Sequence, residues 1–281
     1  MNKKQFKELD GDPVWVHAVS VGEVQAAFPL ILRARKCKYS APIFISTVTC
    51  TGKRMAQKLL SDLVDGHFYY PWDVPWVIRR SLDILNPKAY ISLETEIWPY
   101  LLHELKKREI PSFLVNGRFS ERSFKKACRS LEFWKETLEC FSGILVKSSD
   151  DAEKLYFLGV NLDKVKIIGD VKIDALLLRQ NKVNREKLRA RLQIKKGEPC
   201  FIAGSTHGGE ETVVLEALKL VKGKVPPAKL ALVPRNLERA MDHFSLAGQQ
   251  IEVSLGYEVK QGWDGLVAVE LGHLFVILLM G

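Results

Sequence analysis

Short apolar, β-branched runs alternate with amphipathic helical stretches along most of this chain, and that alternation constrains its fold more than any other feature. Strands are expected at Val14–Val19, Ile43–Val48, His67–Tyr70, Ala89–Leu93, Ser112–Asn116, Gly143–Lys147 and Val165–Ile168. Helices are expected between them, as at Val24–Arg35, Gly52–Leu60, Trp98–Lys107 and Ala152–Leu158. Such alternation builds parallel βαβ units into a doubly wound sheet with helices on both faces. Around Leu176–Gly197 the pattern gives way to a charged helical segment, NREKLRARLQIKKGEP. A second series then starts with strand Cys200–Gly204, helix Glu210–Val221, strand Lys229–Val233 and helix Asn236–Ala247. The expected class is α/β, with two Rossmann-type domains built on parallel sheets. The first covers residues 1–175, a linker covers 176–198, and an incomplete second domain covers 199–281.

Composition excludes several other classes. Hydrophobic residues make up 47% of the 281 and charged residues 27%, the balance of a globular chain and not of a disordered one. The longest apolar run, Leu274–Met280, falls far short of the roughly 18 to 20 residues of a membrane span. The polar start MNKKQFKELDGD has no apolar segment behind its lysines, so no signal peptide is expected. Five widely spaced cysteines without a C-x-x-C pair argue for a reducing compartment and against a disulfide framework or zinc site. The formal net charge of +9 favours anionic partners. Its basic clusters are spread over helices without interleaved aromatics, and no nucleic-acid-binding module appears, so nucleic acid is not an expected partner.

Ligands of open parallel sheets bind beyond the carboxyl ends of the strands, and the loops there are rich in polar groups. Ser20-Val-Gly-Glu23 follows the first strand. It reads as a capping box, with Glu23 reaching back to the Ser20 amide, and equally as a carboxylate at the mouth of the sheet able to take a proton from a hydroxyl. Glu94-Thr-Glu96 puts two carboxylates at the end of the fourth strand, one of them a candidate to cap the next helix through Thr95 and the other to face the crevice. Thr51-Gly-Lys53 lacks the first glycine of a Walker A loop, and no GxGxxG occurs. His17 and His67 lie in apolar strands and read as satisfied core histidines, and no metal-ligand spacing appears. Arg235, after a strand and at a helix start, suits a phosphate, or else pairs on the surface with Glu238 or Asp242.

Taken together, the blocks VWVHAVSVGEVQAAFPLI, ISTVTCTGKRMAQKL, PWDVPWVIRRSLDILNPKAYISLETEIWPYLL, IPSFLVNGRFSERSF, GDVKID, AGSTHGGEE and LVPRNLERA resemble, in order and spacing, the bacterial 3-deoxy-D-manno-octulosonic acid (Kdo) transferases of lipid A biosynthesis. The likeness runs from about residue 14 to about 247. It implies a GT-B glycosyltransferase fold, with the lipid acceptor on the first domain and CMP-Kdo on the second. It also implies an inverting reaction without metal or other cofactor, at the cytoplasmic face of the inner membrane. Glu23 is then the general base toward the acceptor hydroxyl of the lipid A precursor (lipid IVA). Glu96 and Lys172 stand near the reacting centre, Pro234 and Arg235 contact the cytidylate, and Ser205, Thr206 and His207 line the donor side. The basic surface suits an anionic membrane surface.

The chain also departs from that family. The apolar N-terminal anchor has no counterpart, the usual Pro-Arg-His is Pro234-Arg235-Asn236, and the Asn-Pro-Leu-Glu block of the donor domain does not occur before Gly281. The expectation is therefore a chain truncated at both ends, whole in its acceptor domain, incomplete in its donor site and impaired in transfer. A non-catalytic glycolipid-binding remnant and a GT-B transferase using a nucleotide-diphosphate sugar are the alternatives.

Overall fold

A computed structural model describes residues 11–180, 186, 189, 190, 194–225, 227–234, 266–271 and 274–279. The chain separates into two units, Met1–Asn181 and Lys182–Gly281.

The first unit alternates strands and helices as the apolar pattern demands. In chain order they are β1 (Val14–His17), α1 (Val21–Lys36), β2 (Ile43–Thr47), α2 (Cys50–Leu60), β3 (Gly66–Tyr69), α3 (Pro75–Leu85), β4 (Ala89–Leu93) and α4 (Pro99–Lys107). There follow β5 (Ser112–Gly117), α5 (Glu121–Ala127), α6 (Leu131–Leu138), β6 (Gly143–Val146), α7 (Ser149–Phe157), β7 (Val165–Ile167) and α8 (Val171–Gln180). All seven strands are parallel, in the order β3-β2-β1-β4-β5-β6-β7.

Both faces of this sheet are covered, which is why its strands are apolar at nearly every position. Trp15, Phe44, Tyr90 and Leu114 pack on one face with Ile78, Leu82, Leu101, Leu105, Leu138 and Leu155 from α3, α4, α6 and α7. Val14, Val16, Ile43 and Ile45 pack on the other with Val24, Ile31, Met55 and Leu60 from α1 and α2. Leu178 of α8 joins this second face, so residues 176–180, read from sequence as the start of a linker, continue a helix of the first unit. The strand order reverses between β1 and β4. In a doubly wound sheet that reversal opens a crevice at the carboxyl edge.

The second unit contains β8 (Cys200–Thr206), α9 (Glu210–Lys224), β9 (Lys229–Pro234), β10 (Leu266–Leu271) and β11 (Leu274–Leu279). β8 and β9 pair in parallel through the α9 crossover, as expected. β11 pairs antiparallel with both β9 and β10, so the sheet is mixed and not parallel throughout. The cause is local: only Gly272 and His273 separate β10 from β11. A two-residue connection allows an antiparallel hairpin and nothing else, because a parallel return needs a long crossover. The helix expected at Asn236–Ala247 lies outside the described residues.

Candidate active site

Four loops at the carboxyl edge of the first sheet build the site. After β1 the chain turns at Ala18–Ser20, and the Val19 carbonyl accepts from the amides of Val48 and Thr49 and from the Thr49 hydroxyl. The start of α2 approaches so closely that a Cβ on Gly52 would stand 2.9 Å from both Val19 O and Thr49 Oγ1. Only glycine fits there. Thr49 caps α2 by accepting from the Gly52 amide at 3.0 Å.

Glu23, in the first turn of α1, is 7% exposed. Its Oε2 accepts from the Val19 amide at 2.5 Å and its Oε1 from the Ser20 hydroxyl at 3.1 Å. The expected capping box is thus altered: the carboxylate accepts from the Val19 amide rather than the Ser20 amide, and the Ser20 side chain does not cap the helix amides. Burial pushes the Glu23 pKa up, the bonds from Val19 and Ser20 pull it down, Glu94 raises it and Lys172 lowers it, with a net rise.

β4 ends in a left-handed residue, Glu94 (φ 57°), as β5 does at Asn116 (φ 62°). Non-glycine residues held there are strained and cluster at functional sites. Glu94 makes an ion pair with Lys172. Thr95 does not cap α4: its hydroxyl donates to the Arg118 carbonyl and accepts from the Arg118 amide. The α4 cap comes from a distant residue, Asp73, whose carboxylate accepts from the amides of Tyr100 and Leu101 at 3.1 and 2.9 Å. Glu96 is half-buried, and burial, followed by the charges of Glu23 and Glu94, pushes its pKa up to about 7.

Lys172 is set by the β7–α8 loop. Its amide donates to Asp170 Oδ1, and Asp170 in turn pairs with Lys147 at 2.5 Å. The neighbouring Val171 amide donates to Asn116 Oδ1 at 3.1 Å. The ammonium lies 3.6 Å from where a Cβ on Gly22 would stand, so the bare glycine leaves it room.

Behind the loops, His17 is fully buried, and its Nε2 accepts from the Trp98 indole at 3.2 Å while Nδ1 meets Ser46 Oγ at 2.9 Å. Burial drives its pKa down to about 3, so the ring is neutral. Tyr70 stacks on Trp98 at 4.6 Å between ring centroids. His67 bonds Thr47 Oγ1 at 2.9 Å.

The first unit therefore brings Glu23, Glu96 and Lys172 together at the β1/β4 switch point. The sequence pattern did not single out Glu94 as the partner of Lys172, nor Asn116, Asp170 and Lys147 as its supports. The polar residues at the carboxyl ends of β4, β5, β6 and β7 were the available signal. In the second unit, Ser205 (φ 62°) and Thr206 end β8, and Thr206 is the register partner of Pro234 at the end of β9. Ser205 and His207 are exposed, and the His207 amide donates to Glu210 Oε2 at 2.7 Å. The Thr206 hydroxyl is buried without a partner among the described residues. Arg235 lies outside the described residues.

Residues 2–175 match the family profile described as 3-Deoxy-D-manno-octulosonic-acid transferase (kdotransferase). A 3-deoxy-D-manno-octulosonic acid transferase of Haemophilus influenzae is 33% identical over 226 residues, which cover 80% of this chain and 52% of that protein. A bifunctional glycosyltransferase/methyltransferase of Fusobacterium nucleatum is 31% identical over 238 residues, 84% of this chain and 36% of that protein. The chain thus spans about half the length, or less, of these relatives. Among solved structures, a UDP-GlcNAc 2-epimerase from Neisseria meningitidis bound to UDP-GlcNAc superposes with a TM-score of 0.62 at 15% identity, over 88% of this chain and 73% of that one. The UDP-GlcNAc 2-epimerase of Methanocaldococcus jannaschii gives 0.59 at 13%, over 84% and 69%. At such identities the likeness is one of fold, and it is the two-domain, GT-B-like α/β fold expected from the sequence.

Proposed function

Because the chain belongs to the 3-deoxy-D-manno-octulosonic-acid transferase family, through a profile matching 2–175, we propose that it serves Kdo transfer from CMP-Kdo to a lipid A precursor. The observation that carries this reading is the buried Glu23 carboxylate, held at both oxygens within a cluster that also contains Glu94, Glu96 and Lys172. A carboxylate with a raised pKa at the mouth of a crevice is suited to accept a proton from an alcohol as it attacks.

In the proposed step the acceptor hydroxyl oxygen bonds to the anomeric carbon of Kdo as its proton passes to Glu23. The bond from that carbon to the cytidylate phosphate breaks, and CMP leaves with the electron pair. Attack from the face opposite the leaving group inverts the centre. Lys172 supplies positive charge near the reacting centre, and the family resemblance implies Pro234 and Arg235 as contacts of the cytidylate, with no metal ion required. Glu96, with a pKa near 7, holds or releases a proton beside the reacting centre. Ser205, Thr206, His207 and Pro234, at the carboxyl ends of β8 and β9, form the donor side. The acceptor is an anionic lipid at the cytoplasmic face of the inner membrane, which the +9 charge suits. Among the described residues no helix is long and apolar enough to cross a membrane.

Transfer of radiolabelled Kdo from CMP-Kdo to lipid IVA tests this reading. Glu23→Gln is expected to lower the rate about 10²- to 10⁴-fold, with glycolipid binding unchanged. Equal transfer by the variant removes Glu23 as the base, and a preference for nucleotide-diphosphate sugars over CMP-Kdo removes the proposed donor.

A further inference from the structure

The segment after β3 turns two tryptophans outward. Trp72 is 83% exposed and Trp76 is 74% exposed, with the exposed Val74 between them. They flank an open cleft of about 410 Å³, walled also by Tyr69 and Pro71, with Arg80 as its charged side chain. The ammonium of Lys53 lies 5.1 Å from the Tyr69 ring centroid, and no acidic side chain lines the cleft. A contiguous aromatic surface of this kind costs free energy in water and marks a contact face.

This face is tied to the crevice by two neighbours of its own segment. Tyr70 stacks on Trp98, and Asp73 caps α4, which follows Glu96 directly. The tryptophans therefore lie on the same carboxyl edge of the sheet as Glu23 and Glu96.

We propose that this face docks on an anionic lipid bilayer, with Trp72 and Trp76 entering the headgroup layer while Arg80 and Lys53 meet lipid phosphates. Indole rings, apolar in body with one polar N–H, favour that layer, and guanidinium and ammonium groups complement its negative potential. A soluble glycan is the poorer occupant. Its hydroxyls require several hydrogen-bonding groups, and beyond the phenol and indole edges this cleft offers Arg80 and Ser81. The choice of a bilayer rests on the lipid acceptor proposed above; the exposure and the charge do not.

Vesicle flotation tests the proposal, using phosphatidylcholine with and without phosphatidylglycerol, and with neither glycolipid nor sugar donor present. Failure here leaves the transfer reading standing, and failure of transfer leaves this result standing. The expected result is binding to the anionic vesicles that falls roughly ten-fold or more in Trp72→Ser/Trp76→Ser. Arg80→Glu should abolish the preference for phosphatidylglycerol. Brominated lipid should quench the fluorescence of the parent but not that of the double variant. The substituted side chains are solvent-exposed, so unchanged circular dichroism is expected to accompany these losses. Equal vesicle binding by the double variant, or absence of bromine quenching in the parent, overturns the proposal. Saturable binding of a soluble phosphorylated sugar that is lost in the same variant reassigns the face to a glycan.

Discussion

The Trp98 indole donates its N–H to Nε2 of His17, joining the loop after β4 to the end of β1, 81 residues away in the chain. An indole nitrogen can only donate, so Nε2 must accept and the ring proton must sit on Nδ1, facing Ser46. Ser46 Oγ also receives the Trp15 N–H at 2.7 Å. This buried chain of polar contacts ties β1, β2 and the loop after β4 together beneath the candidate site.

Trp98→Phe leaves Nε2 of His17 buried without its donor. The expected cost is about 1–3 kcal/mol, read as a lower urea midpoint at unchanged m-value. Because His17 titrates near 3 in the folded chain and near 6.5 in the unfolded one, acidification below about pH 6.5 protonates the unfolded chain first. Stability is thus lost as pH falls from 6.5 toward 3. The ring ¹⁵N resonances of His17 should keep the neutral Nδ1–H pattern at pH 5.

Glu96 has the opposite sign. Its folded pKa, near 7, lies above its usual value of 4.5, so between those limits the folded chain holds a proton that the unfolded chain has released. Stability from this group is present below pH 4.5 and lost as pH rises through 7. Glu96→Gln should therefore be the more stable protein at pH 8, by on the order of 1 kcal/mol with solvent screening included, and no different at pH 4. Urea unfolding at the two pH values checks this.

Lys172 lowers the pKa of Glu23, and it neutralises Glu94. In Lys172→Met the Glu23 carboxylate should bind its proton more tightly. The acid limb of the proposed transfer rate against pH should then move to higher pH, and Lys172→Arg should restore its position. A purely structural lysine would lower the rate without moving that limb.

Gly52→Ala places a methyl group 2.9 Å from the Val19 carbonyl. Overpacking at that contact should cost roughly 1–3 kcal/mol in a denaturation experiment. It should also slow the proposed transfer, because the Val19 amide that it displaces holds Glu23.

Much of the first unit was legible in the order of its residues. Ala89–Leu93 is a strand in sequence and structure alike, since a five-residue, mostly apolar run between turn residues is too short for a helix. β1 stops at His17, and not at Val19, because the Val19 carbonyl turns to meet the start of α2. The antiparallel pairing of β10 with β11 also had a signal in the sequence, two residues between two apolar runs, which the expected all-parallel second domain does not accommodate.

Strand–helix alternation, the parallel first sheet and the edge on which chemistry gathers are all written in the residue order. Those follow from periodicity and from side chains a few residues apart. Which distant groups meet is settled by the folded arrangement of the strands. Asp73 caps α4 where Thr95 was expected to, Thr95 clasps Arg118, Glu94 pairs with Lys172, and Trp98 orients His17. Each of these partnerships depends on β4 lying beside β1, and on β5, β6 and β7 following outward from β4. Strand order is set by packing both sheet faces at once, so no local stretch of sequence contains it.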